Sequence, residues 1–412
     1  MAMLRFFVNS FLLAILLAGT PCTCRENPSR SGAPDRPVPA SFFGMHIHHA
    51  VEGTPWPVVP FAQWRLWDAH VAWPSLEPRR GQWHFEMLDR YVELAEQGRV
   101  GLLLPLGLSP TWASSRPSEK STYAMGNAAE PKDMEDWRTY VKTVAARYKG
   151  RIHEYEIWNE PNLKGFWTGD VGQMLDLTRE ASEVIHGIDP YAKVVSPAAT
   201  GPNGVPWIRE FLTRGGGQYV DVIGYHFYVM PQRPELMVPL INNVREVMDA
   251  NGAGQKPLWN TETGWAYPKP FPSGELAASY LVRTHLLAWS SGVQRLYWYA
   301  WDNHSWVSLE TTERDNRNLT PAGRAYAIAQ SWLVGASLKE CKEEAAHTWI
   351  CRLERGGATQ WIVWNPDGVK SLKLTEEPGA KSVTPLFGVT RRLSGSSLEV
   401  SEIPELISST EP

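Results

Sequence analysis

Short apolar segments alternate with longer amphipathic segments from about residue 41 to residue 335. Apolar residues recur at helical spacing between Trp137 and Tyr148 and between Leu276 and Ala288, which predicts helices there. The strand-length apolar segments number eight and span residues 42–48, 64–68, 100–106, 153–159, 193–197, 220–227, 257–261 and 295–301. Strands that alternate with helices predict a parallel sheet, and eight such units predict a (β/α)₈ barrel over residues 41–335. A doubly wound sheet is the alternative, but no Gly-rich phosphate-binding loop follows any of these segments.

The pattern changes after the barrel to short alternating runs, at residues 359–364 and 370–374, with turn residues at 365–368 that favour hairpins. It predicts a small antiparallel, sandwich-like β-domain over residues 336–404. Cys341 and Cys351 are ten residues apart, and in an oxidising compartment they could close a hairpin as a disulfide. Two free buried thiols are the alternative.

The N-terminus has the layout of a secretory signal. An early charge at Arg5 precedes an almost wholly apolar stretch, residues 6–18, which is too short for a comfortable membrane span. We therefore predict a signal peptide over residues 1–24, a linker over residues 25–40, and a secreted or periplasmic protein. A lipid anchor on Cys22 or Cys24 is the alternative, although the residues before them lack the expected small apolar pattern.

Charge and composition narrow the partners. The chain has 40 basic and 44 acidic residues, a net charge of −4, which argues against a nucleic-acid partner. Its 20 tryptophans exceed what packing alone usually demands, and flat aromatic faces suit sugars. An oligo- or polysaccharide partner therefore fits the composition.

Glutamates stand at the ends of two predicted strands. The strand period of two places Glu156, Trp158 and Glu160 on one face, and Glu262 ends the seventh strand. Both ends lie on the face where such barrels carry out chemistry. Two converging carboxyl groups supply the acid and the ionised group that glycosidic cleavage needs. A structural ion pair is the alternative for either glutamate alone.

Two motifs carry a resemblance to a known group of enzymes. Trp158-Asn159-Glu160-Pro161, followed by Thr261-Glu262-Thr263-Gly264-Trp265, resembles the acid/base and nucleophile signatures of clan A glycoside hydrolases. Residues 64–68 and 319–326 are similar to family 39 of that clan. The resemblance implies a retaining (β/α)₈ enzyme without cofactor or metal, in which Glu160 is the general acid/base and Glu262 the nucleophile. Their carboxyl groups are then expected about 5 to 5.5 Å apart.

The resemblance also assigns roles around the two glutamates. Asn159 would bind the sugar 2-hydroxyl, Tyr228 would contact the nucleophile and His226 would line the cleft, unless His226 is a satisfied core histidine. Arg65 would keep the nucleophile ionised, or would only pair with Glu156.

Aromatic and histidine residues complete the candidate site. Trp301 is the candidate platform under the sugar, with Trp298 as its rival. His46, which shares a strand face with His48, could contact substrate or bind metal. Trp112 is predicted at the rim, with a core position as the alternative.

The predicted activity is cleavage of β-linked, or geometrically equivalent α-L, glycosidic bonds by a β-xylosidase-like or exopolysaccharide-hydrolase-like enzyme. The alternatives are a family 5-like endo-β-glucanase or mannanase, and a non-catalytic carbohydrate-binding barrel.

Overall fold

The computed structural model describes residues 32–266, 271–374 and 379–412. The predicted signal peptide and residues 25–31 of the predicted linker lie outside the described residues. None of the helices in the described ranges combines the length and apolarity that a membrane crossing needs.

Nine parallel strand segments form the barrel. They are β1 (Phe43–Met45), β2 (Gln63–Arg65), β3 (Gly101–Leu106), β4 (Glu154–Ile157), β5 (Lys193–Val195), β6 (Ala199–Thr200), β7 (Ile223–His226), β8 (Leu258–Thr263) and β9 (Val293–Trp298). Segments β5 and β6 belong to one barrel strand, because β5 pairs with β4 and β6 pairs with β7. A bridge from Val195 to Val222 closes the sheet on itself. The predicted eight-stranded barrel is confirmed.

Seven of the eight strands are followed by a barrel helix. The helices are α1 (Trp73–Leu76), α2 (Glu86–Gly98), α3 (Met134–Arg147), α4 (Val171–Ile188), α5 (Val205–Thr213), α6 (Met237–Ala250), α7 (Gly274–Ser290) and α8 (Pro321–Leu333). The short α1 precedes α2 in the same connection. Residues 46–62 join β1 to β2 without a helix, so the expectation of eight complete units is wrong here. Prolines at 55, 57 and 60 remove the backbone donors that a helix would need.

The barrel interior combines an apolar layer with paired charges. Leu103, Val195, Val222, Trp259 and Tyr297 form a buried cluster inside the sheet. Below and above it, charged side chains pair across the barrel, with Arg295 2.5 Å from Glu154 and Arg65 2.5 Å from Glu156. Pairing offsets part of the cost of burying these charges.

Antiparallel strands follow the barrel, as predicted. They are β10 (Ser337–Glu343), β11 (Trp349–Arg355), β12 (Ala358–Trp364), β13 (Lys370–Lys373), β14 (Ser382–Pro385), β15 (Arg391–Arg392), β16 (Ser397–Val400) and β17 (Glu405–Ser408). One sheet has the order β10-β11-β12-β17-β14-β15, and β13 pairs with β16 in a second. The central strand β17 lies beyond the predicted end at residue 404. The turn at 365–368 joins strands of different sheets, so the hairpin expected there is wrong.

Cys341 and Cys351 lie directly opposite each other in the β10–β11 hairpin. Their sulfur atoms are 1.89 Å apart, within bonding distance. The alternating pattern therefore places the two residues where a disulfide can form.

The β-domain is fastened to the barrel by a buried polar cluster. Glu235, just before α6, pairs with Arg283 of α7 at 2.5 Å, and the Trp364 indole of β12 donates to Glu235 at 2.8 Å. The apolar core is continuous across the same boundary, from Trp298 to Leu353 and Ile362. The described residues accordingly form one compact unit.

Candidate active site

Glu160 reaches the cleft because the backbone turns sharply after β4. Trp158 has φ 62° and Glu160 has φ 45°, both in the left-handed region that non-glycine residues rarely adopt. The Glu160 amide donates to the Ala198 carbonyl at 3.0 Å. The turn ends the alternation of the strand, and the Trp158 ring packs on Trp167 and Trp137 in the helix layer. The prediction that Trp158 shares a face with the glutamates is therefore wrong, while Glu156 does point inward.

Glu262 reaches the cleft through an irregularity in β8. Trp259 faces the barrel interior, so strict alternation would turn Glu262 away from it. The register with β9 shifts between Asn260 and Thr263, and such a shift re-aims the side chains that follow it. Gly264 comes next, where a Cβ atom would lie 2.2 Å from the Tyr299 carbonyl oxygen. Only glycine allows this close approach between the ends of β8 and β9.

Arg65 connects the residues at the two strand ends. Its guanidinium donates to Glu156 at 2.6 Å, to Glu262 at 2.8 Å and to Asn159 Oδ1 at 2.7 Å. Burial opposes its charge, but Glu156 and Glu262 more than offset this and raise the pKa of Arg65. Both sequence interpretations of Arg65 thus describe part of its contacts. Because the Asn159 oxygen is engaged, its NH₂ group is the part that can donate to a ligand.

The two glutamates lie within one hydrogen-bonded cluster. His226 Nδ1 is 2.9 Å from Glu160 and 4.0 Å from Glu262, and the Tyr228 hydroxyl donates to Glu262 at 3.0 Å. One carboxylate oxygen of Glu160 lies within 4.8 Å of one of Glu262. This separation is close to that of retaining carboxyl pairs, about 5 to 5.5 Å.

The electrostatics favour one shared proton. Burial raises the pKa of both Glu160 and Glu262 to about 7, and the charge of ionised Glu160 contributes to the rise at Glu262. Arg65 contacts Glu262 directly, whereas burial lowers the pKa of the His226 partner of Glu160 to about 4 and keeps that ring neutral. The direct contact with Arg65 favours the charged form of Glu262 over that of Glu160.

Glu160, His226 and Glu262 are also the one group of three side chains, within the described ranges, whose atoms lie close enough together to bind a metal ion. Arg65 and Tyr228 already occupy the oxygens of Glu262, and His226 contacts Glu160. His46 does not join them, because its Nε2 lies 3.2 Å from the Thr261 carbonyl oxygen and burial keeps its pKa well below the usual value. His46 forms the floor of the site beside the Tyr299 ring, 5.1 Å away.

The predicted sugar platform is wrong. Trp301 is 1% exposed and packs in the core, so it offers no face to a ligand. Trp298 packs on His285 of α7 and on Trp265, outside the barrel. Arg295 and Tyr297 face inward, and the period of two then brings Tyr299 to the cleft.

Trp112 is half-buried at a distance from the two glutamates. Its indole donates to the Glu77 carbonyl at 2.9 Å, and its ring packs against Trp73 and under the Arg80 guanidinium. The structure therefore does not bring Trp112 to the carboxyl pair, and the alternative of a packing role describes its contacts.

Three residues that the sequence analysis missed lie around Tyr299. The Asp68 carboxylate accepts hydrogen bonds from the hydroxyls of Tyr299 and Tyr123, at 2.7 and 2.6 Å. Trp306, 43% exposed, stands edge-on to both Tyr228 and Tyr299. The available signal for Asp68 was its place as the last residue of the second predicted strand, at the end where barrel sites form. Trp306 lies on a long loop for which periodicity gives no direction.

A (β/α)₈ barrel with paired glutamates at the ends of its fourth and seventh strands has the architecture of clan A. The sequence profile described as "Glycosyl hydrolases family 39" matches residues 75–299, more than half of the chain. The chain belongs to this family.

Two similar curated proteins agree with this assignment. The chain is 25% identical over 229 residues to a β-xylosidase from Geobacillus stearothermophilus, covering 49% of this chain and 45% of that protein. It is 33% identical over 111 residues to a β-xylosidase from Caldicellulosiruptor saccharolyticus, covering 25% and 22%. The matches thus span less than half the length of these curated relatives.

The fold is shared with solved structures at low sequence identity. A family 39 glycoside hydrolase from Bacteroides cellulosilyticus WH2 superposes with a TM-score of 0.72 at 18% identity, covering 90% of this chain and 81% of that one. A family 39 β-xylosidase from Caulobacter crescentus gives 0.65 at 18% identity, covering 92% and 98%. Both structures support the barrel architecture.

Proposed function

We propose that this protein is a retaining glycoside hydrolase that cleaves β-linked, or geometrically equivalent α-L, glycosidic bonds. The observation that carries the proposal is the separation of Glu160 and Glu262, of which one carboxylate oxygen each lies within 4.8 Å of the other at the barrel's C-terminal face. The family assignment supports the same reaction class.

In the first step, protonated Glu160 donates its proton to the leaving oxygen while the Glu262 carboxylate attacks the anomeric carbon. The carbon–oxygen bond to the leaving group breaks, and a glycosyl ester on Glu262 forms. Arg65 and Tyr228 hold Glu262 in position for the attack. Once the charge of Glu262 is consumed, the pKa of Glu160 falls, so Glu160 stays ionised after giving its proton to the leaving group and is ready to act as a base.

In the second step, Glu160 takes a proton from water, and the resulting attack on the anomeric carbon releases Glu262. Each displacement inverts the carbon, so the product keeps the original configuration. The His226 ring, neutral because burial lowers its pKa, orients Glu160 through both steps without competing for its proton.

The substrate we propose is an oligo- or polysaccharide of the xylan type, since the similar curated relatives are named β-xylosidases. Exopolysaccharide cleavage is the related alternative. The signal-like residues 1–24 support action outside the cytoplasm. N-terminal sequencing of the protein from culture supernatant and periplasm, with expected loss of the leader, tests the location.

Azide rescue of two alanine variants tests the assignment of roles. In Glu160→Ala, an activated aryl glycoside should still glycosylate Glu262, and azide should speed turnover and give a glycosyl azide of retained configuration. In Glu262→Ala, any rescue should give the inverted azide. Opposite anomers would mean exchanged roles. Losses below about 10²-fold in both variants would show that the chemistry lies elsewhere.

A further inference from the structure

A cavity lies beside the two glutamates at the same face of the barrel. It has a volume of about 320 Å³ and is bounded by the segments that follow β1, β2, β3 and β9. Its polar lining includes His48, Asp68, His70, Asn127 and Asn303. Neither Glu160 nor Glu262 is part of the lining, so this space is separate from the position of the cleaved bond.

His48 lines this cavity, and its ring contains a buried nitrogen without a hydrogen-bond partner among the described residues. Its amide donates to Asp302 at 2.8 Å and its carbonyl accepts from the Tyr91 hydroxyl at 2.8 Å, which fixes the residue. The side chain is 2% exposed, and Nε2 has no hydrogen-bond partner among the described residues. A buried ring nitrogen is costly without a partner, and a ligand hydroxyl in the cavity would supply one.

The backbone around Asp68 is strained in the same place. Asp68 and His70 both have φ 55°, and non-glycine residues in this region cost about 1–3 kcal/mol each. Asp68 connects the cavity with the cleft, because its carboxylate accepts from Tyr299, whose ring lies 4.9 Å from that of His48. Strain retained at a concave polar site is typical of ligand-binding segments.

The cavity lies on the nucleophile's side of the site. Arg65, at the end of β2, holds Glu262, and the residue three positions later is Asp68. The contacts of Glu160 come instead from His226 of β7 and from Ala198, next to β6. The sugar that becomes attached to Glu262 must stay bound while the leaving group departs past Glu160. Groups that hold the retained part of the substrate therefore belong on the side of β1 to β3.

We propose that this cavity is a second sugar subsite, in which His48 and Asp68 bind hydroxyls of the sugar that precedes the cleaved unit on its non-reducing side. The proposal rests on the two-glutamate hydrolysis proposed above. It names the preferred substrate class as chains with at least two sugars before the cleaved bond, in contrast to single terminal sugars.

Matched aryl glycosides test this proposal. For the xylose, glucose and mannose series, kcat/KM is measured on the aryl monosaccharide and on the aryl disaccharide with the same leaving group. The expected result is a disaccharide preference of at least tenfold in the series that is hydrolysed, because remote binding energy lowers the barrier at the reacting carbon. Equal values for the two members of the pair would overturn the proposal.

Variants then locate the preference. His48→Phe, and Ala72→Phe, which fills the cavity from another wall, should each reduce the ratio at least fivefold. His285→Phe is the matched control, because His285 is also buried with an unpartnered Nε2 but packs on Phe43 in the core. Its ratio should stay at the wild-type value. If the ratio of disaccharide to monosaccharide kcat/KM stays at the wild-type value in both cavity variants, the subsite is wrong. The same holds if kcat/KM increases only when the leaving group, and not the sugar chain before the cleaved bond, is made longer.

Failure of the subsite proposal can be distinguished from failure of the proposed hydrolase function. If Glu160→Ala and Glu262→Ala abolish hydrolysis while the ratio is one, only the subsite is wrong. If the wild-type protein hydrolyses no member of any series, both the subsite and the proposed function are wrong.

Discussion

Replacing Glu160 with glutamine should make the protein more stable at neutral and alkaline pH. Burial raises the pKa of this carboxyl from 4.5 to about 7 in the folded protein. The unfolded chain therefore ionises Glu160 first, and the folded state loses stability as the pH rises from about 4.5 to 7. Glutamine keeps the shape and a hydrogen bond to His226 but carries no charge, so the variant avoids this loss.

The size of the effect follows from the pKa difference. At about 1.36 kcal/mol per pKa unit, a rise from 4.5 to about 7 corresponds to about 3 kcal/mol above pH 7. The coupling with Glu262 adds to this value, since Glu262 ionises more readily in the folded variant once its neighbour is neutral. Near pH 4.5 the wild-type carboxyl is protonated in the folded state and about half ionised in the unfolded chain, so the two proteins should differ little.

Urea unfolding between pH 4.5 and 8.5 measures this difference. The free energy of unfolding of Glu160→Gln minus that of the wild type should grow with pH and level off above about pH 7. Glu183→Gln, at an exposed glutamate of α4, is the control and should show no such growth. A Glu160→Gln difference that is independent of pH would refute the raised pKa and with it the proton assignment.

Three further predictions concern the pH dependence of kcat/KM, the contact of Arg65 with Glu262, and the disulfide between Cys341 and Cys351. The kcat/KM should fall above about pH 7, where Glu160 loses the proton that the leaving group needs, and this alkaline limb should be absent from Glu160→Gln assayed with an activated aryl substrate. Arg65→Met should destabilise the protein by about 3–5 kcal/mol and reduce kcat, because it leaves Glu262 in a buried site without its cation, while Arg65→Lys should recover part of both in unfolding and rate assays. Thiol titration of the denatured, unreduced protein should find no thiol at Cys341 or Cys351, and reduction should cost about 2–3 kcal/mol; two free thiols would contradict the disulfide.

The barrel could be predicted because its strands and helices obey their own periods. Residues 137–148 bury one helical face, nearly all residues from 277 to 289 are buried, and both glutamates directly follow predicted apolar strands. Periodicity alone placed the sites on one face of the molecule. Helix-breaking prolines explain why the first connection departs from the pattern.

The predictions that failed within the site concern residues at the ends of strands. The turn after β4 redirects Trp158, and the shift in β8 brings in Glu262, which strict alternation would have turned outward. At β9 the alternation persists one step beyond the strand, so Tyr299 faces the cleft and the neighbouring Trp301 enters the core. Such local breaks depend on tertiary contacts, for example the close approach of Gly264 to Tyr299.

The most direct test of the double displacement is to trap its covalent intermediate. An aryl 2-deoxy-2-fluoro-xylobioside with a good leaving group forms the glycosyl ester but hydrolyses slowly, because the fluorine disfavours positive charge at the anomeric carbon. Peptide mass spectrometry of the inactivated protein should find one added disaccharide on Glu262, and Glu262→Ala should take up none. A label on Glu160 or another residue, or continued turnover without any label, would contradict the account.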